Sequence, residues 1–196
     1  MRIAIERIAG PSARRVPFRR AAGGKPQLPG VAFSLSHAGG RALIGVTRAR
    51  SIGVDLEVAR AVRMPARRRE ELIAAGAGLA SEPLPAADGD AAFLQAWSRL
   101  EACAKARGDG LAATLAELGL RGVDAAQRTA TPLAVVEARA AALARRAGLR
   151  ITDIALPAGL HAAAALTRSA RLTPPRAFPT TRRAIEALPR PPANHR

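Results

Sequence analysis

The chain has 196 residues, which suits one domain or two small halves, and a hydrophobic fraction of 48% that is ample for a core. Its formal charge of +16 and pI near 11.9 point to an anionic partner: nucleic acid, a membrane surface, a phosphorylated ligand or an acidic protein. A single cysteine, Cys103, excludes an internal disulfide and fits a reducing, cytoplasmic setting. No run of about 18 apolar residues implies a membrane span, and residues 1–10 lack the apolar stretch of a signal peptide.

In chain order, residues 1–30 read as irregular, with a helical hint over Ile3 to Ile8 and a basic segment from Arg14 to Arg20. Gly23-Gly24-Lys25-Pro26 is turn-rich. Phe33 to His37 alternates as a strand, Gly39-Gly40 marks a turn, and Ala42 to Thr47 reads as the returning strand. Ile52, Val54 and Leu56 alternate with Gly53, Asp55 and Glu57, so SIGVDLE reads as a strand with one apolar face. Arg60 to Ala80 reads as mostly helical, 81–90 as a loop, and Ala91 to Arg107 as the strongest helix, ended by Gly108. Residues 114–124 and 131–137 suggest short strands, Glu137 to Ala147 a helix closed by Gly148, and Leu149 to Leu156 with Leu160 to Leu166 a final hairpin. From Arg168 the proline- and arginine-rich tail reads as disordered.

Two features carry chemistry. Asp55 and Glu57 point the same way from their strand, about 6.6 Å apart at the backbone, in a chain poor in acids. A solvated strand face accounts for such a pair; so does a divalent cation, which turns the repulsion into attraction. Oxygen-only donors favour Mg²⁺, and Mg²⁺ prefers one or two carboxylates plus substrate phosphates. The second feature is the stripe Phe93, Trp97, Glu101 and Lys105, spaced by four on one helix face. An exposed ion pair of little consequence is one reading of Glu101 and Lys105. The aromatics place the stripe inward, however, and of 31 basic residues only Lys25 and Lys105 are lysines. In a chain that otherwise writes arginine, these two are candidates for ammonium groups that a guanidinium cannot replace.

Taken together, Gly24-Lys25-Pro26, FSLSH at 33–37, IGVDLE at 52–57 and WSRLEACAKARGDG at 97–110 resemble, in that order, the large surfactin-type phosphopantetheinyl transferases; the match covers roughly residues 15–166. The resemblance implies an α+β fold of two pseudo-symmetric α/β halves. Here these are 1–50, an apparently shortened N-terminal half with only 23 residues before Gly24, and 51–167, followed by the tail 168–196. It implies Mg²⁺-dependent transfer of phosphopantetheine from coenzyme A to a serine of an acidic acyl, peptidyl or aryl carrier protein by a monomer, releasing adenosine 3′,5′-bisphosphate. Asp55, Glu57 and Glu101 would bind the metal, and Glu101 would take the serine proton. Lys105 would hold the pyrophosphate, Ser36 and His37 the coenzyme A phosphates, and Lys25 the adenosine end. Leu100 stands where a lysine is common, so Arg99 or Arg107 is expected to supply that phosphate contact. A third acid is expected between the main motifs, with Glu70, Glu71 and Glu82 as candidates. His161 and Cys103 read as structural.

A basic nucleic-acid-binding protein would also explain the charge. It leaves the acid pair unexplained, and with aromatics at 3% and no tyrosine there is no base-stacking platform. Another Mg²⁺-dependent phosphoryl enzyme, such as a nuclease, would show more converging acids.

Overall fold

A computed structural model describes residues 2–10, 15–20, 25–85, 89–120 and 131–177. The elements run α1 (Arg2–Ala9), β1 (Arg19–Arg20), β2 (Pro26–Gln27), β3 (Ala32–Ala38), β4 (Arg41–Thr47), β5 (Ile52–Val58), α2 (Ala66–Leu79), α3 (Gly89–Arg107), α4 (Leu111–Glu117), α5 (Leu133–Arg146), β6 (Leu149–Asp153) and β7 (Leu160–Thr167). The architecture is mixed α+β, with small antiparallel sheets and five helices among the described residues.

β5, β7 and β6 form one antiparallel sheet with β7 in the middle. β7 reads LHAAAALT, and a central strand of alanines keeps the sheet thin enough for layers to close on both sides. On one face Ala163, Ala165 and Ile151 pack against α3, beyond which α2 and α5 complete the main core with Leu72, Phe93, Leu100, Val136 and Leu143. On the other face Ile52, Val54, Leu56, Ala162, Ala164 and Leu166 meet residues of the β3–β4 hairpin. A smaller cluster of Ile5, Leu28, Val31 and Phe33 seats α1, with the Phe18 and Phe33 rings 5.2 Å apart.

The hairpins at β3–β4 and β6–β7 lie where the strand and turn signals place them. Gly108 and Gly148 end their helices in the left-handed region, at φ +83° and +64°, where a side chain would be strained. Two expected strands are corrected. Residues 111–117 are the helix α4, and Leu133, Ala134, Val135 and Val136 open α5, not a strand. Pro132, at φ −56°, stands immediately before α5 and starts it, and alanine and leucine then outweigh the two valines. α2 starts only at Ala66, behind Pro65, so residues 60–65 are not helical. Residues 168–177 carry no helix or strand; the tail from 178, the first two residues of the turn expected at 23–26 and the last four of the strand expected at 114–124 lie outside the described residues.

Candidate active site

The site begins with a close approach of backbone to backbone. A Cβ added to Gly53 would stand 2.0 Å from the carbonyl oxygen of Ala102 and 2.4 Å from the amide nitrogen of Ala106. Only glycine lets α3 lie this near to β5. Asp55 follows two residues later on the same face, and Lys105 sits beside the point of contact on the helix.

Their side chains meet. Lys105 Nζ donates to Asp55 Oδ1 at 2.6 Å, and the Ser36 hydroxyl donates to the same oxygen at 2.8 Å. Lys105 Nζ also lies 3.3 Å from Ser36 Oγ and 4.0 Å from Glu101 Oε2. Asp55 is buried, and its second oxygen, Oδ2, has no hydrogen-bond partner among the described residues. A buried carboxylate oxygen left unpaired is costly.

Glu101 and Glu57 complete the acidic group. Burial raises the Glu101 carboxyl above its ordinary value; Lys105 opposes that, and Asp55 and Glu57 reinforce it. Burial also raises Glu57, opposed first by Arg60, whose Nη1 lies 3.0 Å from Glu57 Oε2. Glu101 therefore feels the field of both other carboxylates, and Glu57 that of Asp55. As they stand they do not close into a metal-holding group, and no group of three or more histidine, cysteine or acidic side chains among the described residues does. The donor chemistry nonetheless fits a hard cation: all donors are oxygens, and Asp55 Oδ2 is free to take one.

The remaining expected residues divide. Lys25 Nζ donates to the carbonyls of Ile52 at 2.8 Å and Lys105 at 2.5 Å, tying the start of β5 to the last turn of α3. Burial lowers its pKa. Lys25 also lines a cavity of about 690 Å³ with Arg19, Arg48, Arg50 and Arg107, beside a narrower slot of about 460 Å³ bounded by Phe33, Leu35, Leu111, Glu101 and Lys105. His37 is exposed and alternates away from Ser36, so it stands outside the cluster. Ser36 faces Asp55.

Arg99 is not a phosphate contact. It is fully buried, donating to both Asp153 oxygens at 2.7 and 2.6 Å and to the Glu82 carbonyl at 2.9 Å. Arg107 pairs with Asp109 and Glu117. The three candidates for the third acid are engaged elsewhere: Glu70 and Glu71 with arginines of α2, and Glu82 Oε1 with the Thr152 hydroxyl at 3.0 Å. Cys103 is buried in the core, which pushes its thiol up to about 12.

Three further residues border the site, of which only Ser34 falls within one of the sequence motifs, FSLSH at 33–37. Ser34 Oγ accepts the Val54 amide at 3.0 Å, satisfying a donor on the β5 edge that no strand pairs. Arg60 is found only through its i,i+3 spacing from Glu57. His161 lies directly across the β5–β7 ladder from Glu57, on the same face, which depends on a register no local pattern encodes. Neither the protein-family models nor the curated proteins contain a match to this chain.

Proposed function

We propose that the chain is a phosphopantetheinyl transferase that moves phosphopantetheine from coenzyme A to a carrier-protein serine, with β5 and α3 forming the reaction centre. The observation that carries the reading is the convergence of Asp55, Glu101 and Lys105 where strand and helix touch at Gly53, with Glu57 near enough to feel Asp55 and Lys105 and one buried oxygen of Asp55 unpaired. The proposal includes the two pseudo-symmetric halves, 1–50 and 51–167, and an acidic carrier drawn by the charge of +16.

Asp55, Glu57 and Glu101 would hold Mg²⁺, which when bound supplies charge neutralisation at the pyrophosphate. The chain's own residues supply the rest. Lys105, on the wall of the slot, neutralises charge building on the leaving bisphosphate. Glu101 is assigned the serine proton; as a metal-bound carboxylate it would be a weak base, so the serine must be held close and deprotonated late. The basic cavity matches a phosphorylated nucleotide, and the adjoining apolar slot matches a pantetheine arm. Lys25 acts at their junction chiefly by fixing α3 to β5.

The test is to incubate the protein with coenzyme A, Mg²⁺ and an apo carrier and weigh the carrier. A phosphopantetheine-sized gain is expected, lost in Asp55→Ala and Glu101→Ala. An unchanged carrier mass across acyl, peptidyl and aryl carriers, with tight binding to nucleic acid, would overturn the assignment.

A further inference from the structure

The acids of the site already have cations, and these come from the chain itself. Lys105 Nζ lies 2.6 Å from Asp55 Oδ1 and 4.0 Å from Glu101 Oε2, bridging the strand acid and the helix acid. Arg60 Nη1 lies 3.0 Å from Glu57 Oε2. Three carboxylates thus face two side-chain cations, and an arriving divalent ion meets far less net negative charge than the acids alone would offer. The two partners at the centre are unequal. The Asp55 side chain is 6% exposed, on a short stem inside a sheet; the Lys105 side chain is 30% exposed, on a long flexible stem that lines the open slot. Lysine can leave and aspartate cannot.

Resting on the metal site of the transferase reading, we propose that Lys105 is a built-in counter-ion that a divalent cation must displace, and that a phosphate ligand accepts the displaced ammonium, so that metal and pyrophosphate bind cooperatively. A metal ion alone leaves Lys105 either beside a second cation or unpaired. With pyrophosphate present the ammonium exchanges one anion for another and the repulsion disappears. By linkage each ligand then tightens the other by the same factor. Ser36 supports the resting arrangement, since its hydroxyl donates to Asp55 and stands 3.3 Å from Lys105 Nζ.

Calorimetric titration of the full chain with Mg²⁺ alone, and with Mg²⁺ in the presence of inorganic pyrophosphate after correction for their complex in solution, tests this without any transfer reaction. Wild type is expected to bind the metal about tenfold tighter when pyrophosphate is present. Lys105→Gln removes the charge and keeps a polar side chain; it is expected to bind Mg²⁺ alone about tenfold tighter than wild type and to show a smaller coupling, keeping only the part that metal and pyrophosphate exert on each other directly. Equal metal affinity in Lys105→Gln and wild type, with binding abolished by Asp55→Asn, overturns the counter-ion while leaving the metal site standing. Absence of coupling in wild type overturns it even if Lys105→Gln does not fold. No metal uptake by wild type under either condition overturns both this inference and the site on which it rests.

Discussion

Gly53→Ala tests the contact on which the candidate site is built. The new Cβ would lie 2.0 Å from the Ala102 carbonyl oxygen and 2.4 Å from the Ala106 nitrogen, and both obstacles are backbone. Reaching even 3.0 Å, a separation real Cβ atoms scarcely undercut, requires β5 and α3 to part by about 1 Å. The helix cannot easily retreat, because Leu100 and Cys103 on it are fully buried in the main core. Overpacking of this kind costs about 1–3 kcal/mol, and an immovable backbone on the far side places this case near 3 kcal/mol. The same displacement moves the Glu101 and Lys105 backbone away from Asp55, and the flexible Lys105 stem can follow only by changing its own geometry. Misplacing reactive groups by about 1 Å costs on the order of a hundredfold in rate. Urea unfolding should show the loss of stability, and the carrier-mass assay the loss of transfer. Ala102→Gly should not rescue either, since the obstacle is a carbonyl oxygen and not a methyl group. A Gly53→Ala protein with the wild-type urea midpoint and undiminished transfer would refute the close-approach argument.

Two further outcomes probe parts of the fold away from the reaction centre. Arg99→Met leaves Asp153 and the Glu82 carbonyl without their buried guanidinium; the expected loss is about 3 kcal/mol by urea unfolding, the low end for a broken buried pair because the Asp153 side chain keeps 28% exposure, and Arg99→Met with Asp153→Leu should recover much of it. Hydrogen bonds from Arg146 and Arg107 hold the Glu117 carboxyl below its ordinary value of 4.5, so its contribution to stability is present above that value and is lost as pH falls through the lower folded-state value. Melting temperatures measured below pH 4.5 should therefore fall less steeply with acid in Glu117→Gln than in wild type; parallel curves would show that the bridge adds nothing.

Much of the fold was legible because its signals are local. Alternation marked β3 and β5, turn residues marked the hairpins that return as β4 and β7, and glycines at positive φ marked the ends of α3 and α5. The errors share a cause. Val135-Val136 lie in α5 and the Leu115 to Leu120 stretch in or beside α4; alanine and leucine favour helix in both, and at α5 a proline at the start adds to it. The tight site residues were legible for a similar reason: Asp55 and Glu57 share a face by strand period, and Glu101 and Lys105 by helix period. The pairing between those two faces was not, since the 2.6 Å contact of Lys105 with Asp55 depends on how α3 lies across β5. Arg99 shows the limit most clearly. Its place in the chain, beside Leu100, suggested a phosphate contact, yet one residue of rotation on the helix turns it to Asp153 and the core.

The two lysines of the chain lie close together in the structure, and their surroundings suit an ammonium. Both lysines of the chain meet at one junction: Lys25 Nζ binds the main-chain carbonyl of Lys105, whose own Nζ binds Asp55. Each site accepts a compact ammonium among oxygens that arrive from different directions: two carbonyls at Lys25, a carboxylate and a hydroxyl at Lys105. A planar guanidinium presents its donors in a fixed fork and suits a flat bidentate partner, as Arg99 does with Asp153. Lys25 further places positive charge on one last-turn carbonyl of α3, that of Lys105, where the helix dipole is negative. The helix end that carries Lys105 is thereby held against β5 by the other lysine. The chain's two ammonium groups act in series, one fixing the helix and one facing the acids.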